Sequence, residues 1–458
     1  MEPTNCHIHK LHTGGVANPN EYAELARMFL RPSEFELDVS GPPPEEDREE
    51  IKRRLYRELS RMTGRHPVWG TLTGVKPLKL FSALAEKTGG AGAAKRKLRD
   101  EYYVSPEKLC LLEQTWRVGR EVLRHPPQGA VSVYVGIPFC PSRCAYCSFV
   151  SGPYEEKSAA RYLDALHREI AFVAEQMDAL GLYAESIYVG GGTPTALNAQ
   201  ALERLLHTLT GCLPTAERAE YTVEAGRPDT LTDEMCDLLA ACGAGRISIN
   251  PQTMRDATLA RIGRRHDAAM TGKAFEAARK AGLPLINADI IAGLPGEDAS
   301  DFAYTLDAIL ALKPENITVH TLSVKKGSNF READEELCYN IEGSALRMLD
   351  GLPERLRGKG FRPYYLYRQK QTVDNLENVG YALPGAECVY NMRIMEEKQT
   401  VIAMGAGGSS KVFFPQENRI ERIFNVSDHA LYAARIGEMI ERKRIGLFGA
   451  LRGCARPR

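Results

Sequence analysis

Long apolar runs are missing from this 458-residue chain. Crossing a bilayer takes roughly twenty consecutive apolar residues, and stretches such as Ala308 to Leu312 fall far short, so no membrane span is expected. Net charge is missing as well. The 59 Lys and Arg residues balance 59 Asp and Glu residues, so no global field draws the chain to nucleic acid or to an anionic surface. An anionic ligand must therefore be held by local cations. The opening residues Met1-Glu2-Pro3-Thr4-Asn5 lack the basic-then-apolar pattern of an export signal. Eleven cysteines in so long a chain fit a reducing compartment in which thiols serve metal or redox work. A cytoplasmic location is expected. The length excludes a small disulfide scaffold and calls for two or three domains. No internal repeat or long low-complexity segment is present.

A second Cys-x-x-Cys hook is also absent. Cys6, Cys110, Cys212, Cys236, Cys242, Cys338, Cys388 and Cys454 are scattered, with only Cys236 and Cys242 near one another. Free buried thiols behave as small hydrophobes, which is the expected role of this set, Cys388 included. What is present is a compact trio, Cys140, Cys144 and Cys147, in Pro138-Phe139-Cys140-Pro141-Ser142-Arg143-Cys144-Ala145-Tyr146-Cys147. A cubane [4Fe-4S] cluster takes four thiolates, so a loop that supplies three leaves one iron open to a ligand from outside the protein. The competing metal is zinc, which also favours thiolates but prefers a closed tetrahedral shell, usually built from paired hooks.

From about Val131 the chain becomes rhythmic. Strands are expected at Val131 to Ile137, Ser186 to Val189, Tyr221 to Glu224, Arg246 to Ile249, Leu285 to Ile291 and Asn316 to Leu322. Helices are expected at Ala159 to Leu180, Ala199 to Leu213, Thr232 to Ala241, Ala268 to Ala281 and Asp298 to Leu312. Six strands alternating with helices predict a parallel α/β array, a partial (β/α)6 barrel. Reactive groups in such arrays lie at the carboxyl ends of the strands. The cysteine loop follows the first strand, Gly190-Gly191-Gly192-Thr193-Pro194-Thr195 the second, and Glu224 ends the third. Asn250 and Gln252 follow the fourth, and Asp289 lies within the fifth, with Gly293-Leu294-Pro295-Gly296 beyond it.

Residues 1–130 form an N-terminal α+β accessory region, in which Gly41 to Asp47 reads as a linker, Arg48 to Arg61 and Pro106 to Leu123 as helices, and Gly89 to Lys97 as a surface loop. Residues 131–325 hold the barrel. After about Val324 the rhythm gives way to a mixed α/β region, 326–458, rich in aromatics, basic residues and glycine, which is expected to cover the mouth.

Three strings carry a resemblance: Tyr134-Val135-Gly136-Ile137-Pro138-Phe139-Cys140, Tyr188-Val189-Gly190-Gly191-Gly192-Thr193-Pro194-Thr195 and Asp289-Ile290-Ile291-Ala292-Gly293-Leu294-Pro295. Over about residues 131–425 the chain resembles radical S-adenosylmethionine enzymes of the oxygen-independent coproporphyrinogen III oxidase group. Through Arg246-Ile247-Ser248-Ile249-Asn250-Pro251-Gln252-Thr253-Met254 it looks most like the anaerobic coproporphyrinogen dehydrogenase branch, HemZ. The resemblance implies a [4Fe-4S] cluster on Cys140, Cys144 and Cys147 and S-adenosylmethionine on its open iron. It places Tyr134, Gly191, Gly192, Thr193, Glu224, Gln252, Arg264 and Asp289 at cofactor-contacting positions, with Phe139 and Tyr146 shielding the cluster. Glycines at 190–192 would let backbone approach the cofactor, since a side chain would fill that space. The implied chemistry is a 5'-deoxyadenosyl radical that takes a hydrogen from each of two propionates, after which loss of carbon dioxide and an electron leaves vinyl groups. A flavodoxin or ferredoxin-type electron donor is implied as partner. A tetrapyrrole with four propionates calls for cations, and the available clusters are Arg264-Arg265-His266, Lys325-Lys326 and Arg368-Gln369-Lys370.

The match departs from the better-known oxidases at three places. Gly136 stands where they have histidine, Ser148-Phe149 follow the third cysteine where they carry a further cysteine, and the first 130 residues lack their N-terminal arm. Relatives that chaperone haem carry a His-Asn-x-x-Tyr-Trp string, and the corresponding place here reads Tyr390-Asn391-Met392-Arg393-Ile394-Met395. A haem-binding chaperone, or a radical methyltransferase or ring-opening enzyme acting on haem, is the alternative function.

Overall fold

The computed structural model describes residues 8–123, 125–147, 151–323 and 343–455. Cys6, Ser148, Phe149, Lys325, Lys326 and Cys338 lie outside them. Strands β1 (Ala130–Ile137), β2 (Tyr183–Gly191), β3 (Thr215–Glu224), β4 (Arg246–Gln252), β5 (Leu285–Ala292) and β6 (Asn316–Thr321) alternate with helices α1 (Glu156–Ala179), α2 (Ala199–Cys212), α3 (Asp233–Ala241), α4 (Ala268–Lys280) and α5 (Ala299–Ala311). The six strands are parallel and neighbour one another in chain order. Their runs of Val, Ile and Ala are buried on both faces, as covered parallel sheets require; β1 is buried at seven of eight positions. Helices α2 to α5 begin where short polar side chains satisfy first-turn amides: Asn198 bonds Ala201 N at 2.8 Å, Thr232 caps α3, Asp267 bonds Met270 N at 2.7 Å, and Asp298 closes a capping box on α5.

The C-terminal region extends this sheet at both edges instead of forming a separate layer. β7 (Arg362–Arg368) and β8 (Glu377–Ala382) add antiparallel strands beside β6, while β9 (Val401–Met404) pairs parallel with β1 and is followed by β10 (Ser409–Phe414) and β11 (Arg419–Phe424). The order β7-β8-β6-β5-β4-β3-β2-β1-β9-β10-β11 leaves the sheet open, a partial barrel rather than a closed one.

Near the amino end, Leu11, Leu25, Leu55 and Leu59 form a small core of their own, whereas Phe81, Leu98 and Leu112 join the main one. Asp47 ends the proline-rich linker as N-cap of the helix Arg48–Thr63. The expected loop at 89–97 is instead the start of a helix, Ala91–Tyr102. Gly89 and Gly90, with φ of 82° and 140°, make the break, and the Ala, Lys and Arg that follow are strong helix formers.

One buried polar group ties the last helices to the barrel. Glu169 of α1 accepts from Lys443 Nζ at 2.7 Å, Tyr432 Oη at 2.5 Å, Asn425 Nδ2 at 2.9 Å and Gly405 N at 2.8 Å. Both charged side chains are fully buried, and a pair this deep is sustained only by such a full set of hydrogen bonds. On the same helix Tyr162 donates to Gly136 O at 2.6 Å and accepts from Ala406 N at 3.0 Å, fixing β1 just ahead of the cysteine loop.

Candidate active site

At the carboxyl ends of β1–β6 lies a cavity of about 470 Å³. The cysteine loop forms one side. It leaves β1 through Phe139–Cys140, pairs with Gly152–Pro153, and is pinned by Ala145 N to Ile262 O (3.0 Å), Thr193 N to Phe139 O (2.7 Å) and Cys147 N to Cys144 O (3.1 Å). All three thiols line the cavity. Cys140 Sγ is 3.6 Å from Thr193 Oγ1, and the Arg227 guanidinium, which sequence reasoning did not single out, donates to Ser142 O and lies 3.8 Å from Cys144 Sγ. Among the described residues no three His, Cys, Asp or Glu side chains stand close enough to share one metal ion, while a cubane presents a separate iron to each thiolate.

Register explains the glycines. Ile137 of β1 pairs with Gly191 of β2, so the glycine turn lies against the root of the loop. A Cβ at Gly192 would sit 2.5 Å from Phe139 O and 2.9 Å from Ile137 O, and one at Gly190 would sit 2.7 Å from Glu224 Cδ. Close approach of protein to protein thus already demands these glycines, which is a reason additional to the expected room for a cofactor. Gly191, Gly192 and Thr193 do reach the cavity wall. Glu224 accepts from Tyr188 Oη at 2.6 Å and Gly191 N at 3.1 Å. Burial raises its pKa to about 7, with the nearby Asp289 charge adding to the rise and the Tyr188 bond opposing it. Tyr134, Tyr188 and Tyr390 stack above it, with Tyr188 and Tyr390 ring centres 4.6 Å apart.

The other expected contacts also converge. Gln252 has φ 71° and a buried Oε1 without a protein partner, and Asn250 Oδ1 and Arg264 Nε are likewise unpartnered. Arg264 donates to Gly226 O at 3.0 Å and Tyr146 Oη at 2.7 Å. Asp289 accepts from Asn287 Nδ2 at 2.7 Å and faces His320 Nε2 at 3.4 Å. Its burial would raise its pKa, but His320, Asn287 and Thr318 together hold it below the usual carboxylate range. Phe139 alone of the expected set is off the cavity: its ring is buried behind Cys140 against Tyr154, Tyr162 and His429.

The basic clusters divide differently from expectation. Arg264 lines the cavity, but Arg265 is exposed and His266 is buried at 3.3 Å from Pro251 O. Burial, with Arg264 adjacent, lowers its pKa to about 4, so it is neutral. Arg368 is spent on structure, donating to Leu72 O and Asn375 O and lying over Trp69; only Gln369 of that trio reaches the cavity. The far wall, missed by motif reading, is built of Tyr365, Tyr367, Asn378 and His320, together with Tyr390, Asn391, Ile394 and Met395 of helix α6 (Val389–Glu396). Cys388 is a core thiol, as expected, bonded to Glu220 at 3.2 Å.

An open parallel sheet with a three-cysteine loop at its carboxyl mouth defines a class, and the comparisons agree with it. The Radical SAM superfamily model matches residues 134–309. The oxygen-independent coproporphyrinogen-III oxidase-like protein HemZ of Bacillus subtilis is 36% identical over 394 residues, 84% of this chain and 78% of that protein. The haem chaperone HemW of the same organism is 28% identical over 60% of this chain and 69% of its own length. The solved coproporphyrinogen III oxidase of Escherichia coli, HemN, superposes with a TM-score of 0.53 at 22% identity, covering 71% of this chain and 73% of that one, and shares the fold. The chain belongs to the radical SAM superfamily and, within it, to the coproporphyrinogen III oxidase group on the HemZ branch. Members of the superfamily bind a [4Fe-4S] cluster and S-adenosylmethionine. The residues here fit those groups: three thiols on one loop, a cation beside them, and unpartnered buried amide and guanidinium atoms around the same cavity. Among the described residues no helix is long and apolar enough to cross a membrane.

Proposed function

We propose that this radical SAM enzyme carries out oxygen-independent oxidative decarboxylation of two propionates of coproporphyrinogen III, giving protoporphyrinogen IX. The observation that carries the reading is the shared cavity, which has the three thiols and the glycine turn on one side and a wall of tyrosines and amides on the other. When bound, the cluster and S-adenosylmethionine supply one-electron chemistry and a hydrogen-abstracting 5'-deoxyadenosyl radical, while the protein orients and shields them. Cys140, Cys144 and Cys147 hold the iron, and Phe139 and Tyr146 exclude solvent from the loop. Gly191, Gly192, Thr193, Tyr134, Glu224, Gln252, Arg264 and Asp289, which line the cavity, would hold the cofactor. On the substrate each propionate would lose one hydrogen atom from the carbon next to the ring to the 5'-deoxyadenosyl radical, then carbon dioxide and one electron, which would pass to a one-electron acceptor from outside the chain. A flavodoxin or ferredoxin-type protein would supply the reducing electron. In this reading residues 1–130 are accessory, 131–325 house the chemistry and 326–458 complete the substrate wall.

The haem-chaperone reading is disfavoured by Tyr390, Ile394 and Met395, which stand in the cavity wall where those relatives have His, Tyr and Trp. The test is reconstituted protein, kept anaerobic with reductant, S-adenosylmethionine and coproporphyrinogen III, with the porphyrin product read by mass. Two successive decarboxylations are expected. Cofactor cleavage without decarboxylation would overturn the assignment, and stoichiometric haem binding with transfer to a partner would favour the chaperone.

A further inference from the structure

His320, on β6, lines the cavity although no motif marks it. Its imidazole meets two acceptors: Nε2 lies 3.4 Å from Asp289 Oδ2, and Nδ1 lies 3.3 Å from Asn378 Oδ1. A third group fixes the identity of that amide atom. The Thr321 backbone N–H donates to it at 3.0 Å, and a backbone N–H can only donate, so the atom facing both is oxygen and Nδ1 must carry a hydrogen. On the other side Asp289 already accepts from Asn287 Nδ2 at 2.7 Å. Its pKa, held below the usual carboxylate range, leaves Asp289 ionised, and an ionised carboxylate only accepts, which calls for a hydrogen on Nε2 too. With both nitrogens protonated the ring is an imidazolium.

The charged and titratable groups facing this pair come from three other strands: Tyr188 on β2, Glu224 on β3, and Tyr365 and Tyr367 on β7. Burial opposes the His320 charge, but Asp289 and Asn378 outweigh it and its pKa lies above the ordinary value. Across the cavity stand Arg143, Arg227 and Arg264, of which Arg227 bonds Asp229 and Ser142 and Arg264 bonds Gly226 and Tyr146. Among the described residues of the wall made by β5–β8 and α6, His320 is the one side chain able to carry positive charge.

We propose that His320, paired with Asp289, is a specificity-determining residue that keeps this wall electrically neutral and so admits a carboxylate-bearing tetrapyrrole. The inference rests on the function proposed above. Loss of the His320 proton leaves Asp289 bare in a low-dielectric wall, where its charge repels propionates. The sign is definite: anion binding weakens as pH rises through the elevated His320 pKa.

The experiment measures binding of coproporphyrin III, the stable fluorescent form of the substrate class, to the full-length protein between about pH 6 and pH 9. It uses a Glu224→Gln background, so that the other titrating carboxyl is silent. With His320 intact, affinity falls roughly tenfold across the range, the equivalent of about one pKa unit of linkage. His320→Gln binds weakly and without slope, and His320→Lys restores tight binding to higher pH. Nitrogen-15 histidine spectra of the unsubstituted protein show His320 doubly protonated at about pH 6, a readout that needs no foldable variant. An undiminished slope in His320→Gln, or a neutral His320 tautomer, overturns the inference while leaving the function intact. Absence of porphyrin binding at every pH instead overturns the function and takes the inference with it.

Discussion

The two sides of the cavity are made of different material. Around the cysteine loop, Gly191 and Gly192 lie within contact distance of the loop-root backbone, and Arg227 and Arg264 are bonded to protein carbonyls. The opposite wall, from β5 to β8 and α6, is side chain: tyrosines, amides and one imidazole facing one carboxylate. Backbone walls tolerate little substitution because the neighbour is a carbonyl that cannot swing aside. Side-chain walls can be retuned residue by residue without refolding. The first suits a cofactor shared across a superfamily, and the second suits selection among substrates.

If that contrast is right, substitutions on the two sides fail in different ways. The largest effect is expected from Cys144→Ser, which lowers product formation to background while the protein remains folded, as read by thermal unfolding beside the anaerobic assay. Next comes Gly192→Ala. Its Cβ would sit 2.5 Å from Phe139 O, an overpacking that costs about 1–3 kcal/mol and is measurable as a lower denaturant midpoint. Retained stability there would break the claim that this wall is close-packed backbone. The smallest effect separates the walls by pH. Glu224, mostly neutral below its pKa of about 7, gains negative charge as pH rises, so affinity for the cationic S-adenosylmethionine should strengthen by a few-fold through neutrality and flatten in Glu224→Gln. That slope has the opposite sign to the one expected for an anionic porphyrin on the His320 side. Calorimetric titration of the cofactor across the same pH range checks it, and equal signs would erase the distinction.

The same contrast explains what the sequence could show. Parallel strands announce themselves as unbroken Val and Ile runs bounded by cap residues such as Asn198 and Asp298, so β1–β6 and α1–α5 were legible to within a few residues at most boundaries. The cysteine loop and glycine turn are contiguous strings, and contiguity is what a reader of sequence sees. His320 and Asn378 are 58 residues apart and meet only because β8 returns antiparallel beside β6. Nothing local encodes that. Arg368 misled for the converse reason: an Arg in a basic string reads as a solvated or ligand-binding charge, whereas tertiary packing buries it over Trp69. The helix at Ala91–Tyr102 was hidden by the two glycines that precede it.

The account stands on the cysteine trio holding iron with one corner left for an outside ligand. Mössbauer spectroscopy of anaerobically reconstituted, iron-57-labelled protein, recorded with and without S-adenosylmethionine, addresses it directly. The expected spectrum is that of a [4Fe-4S] cluster in which one iron changes its isomer shift when the sulfonium compound is added. A cluster insensitive to that addition, or no cubane at all, would contradict the account.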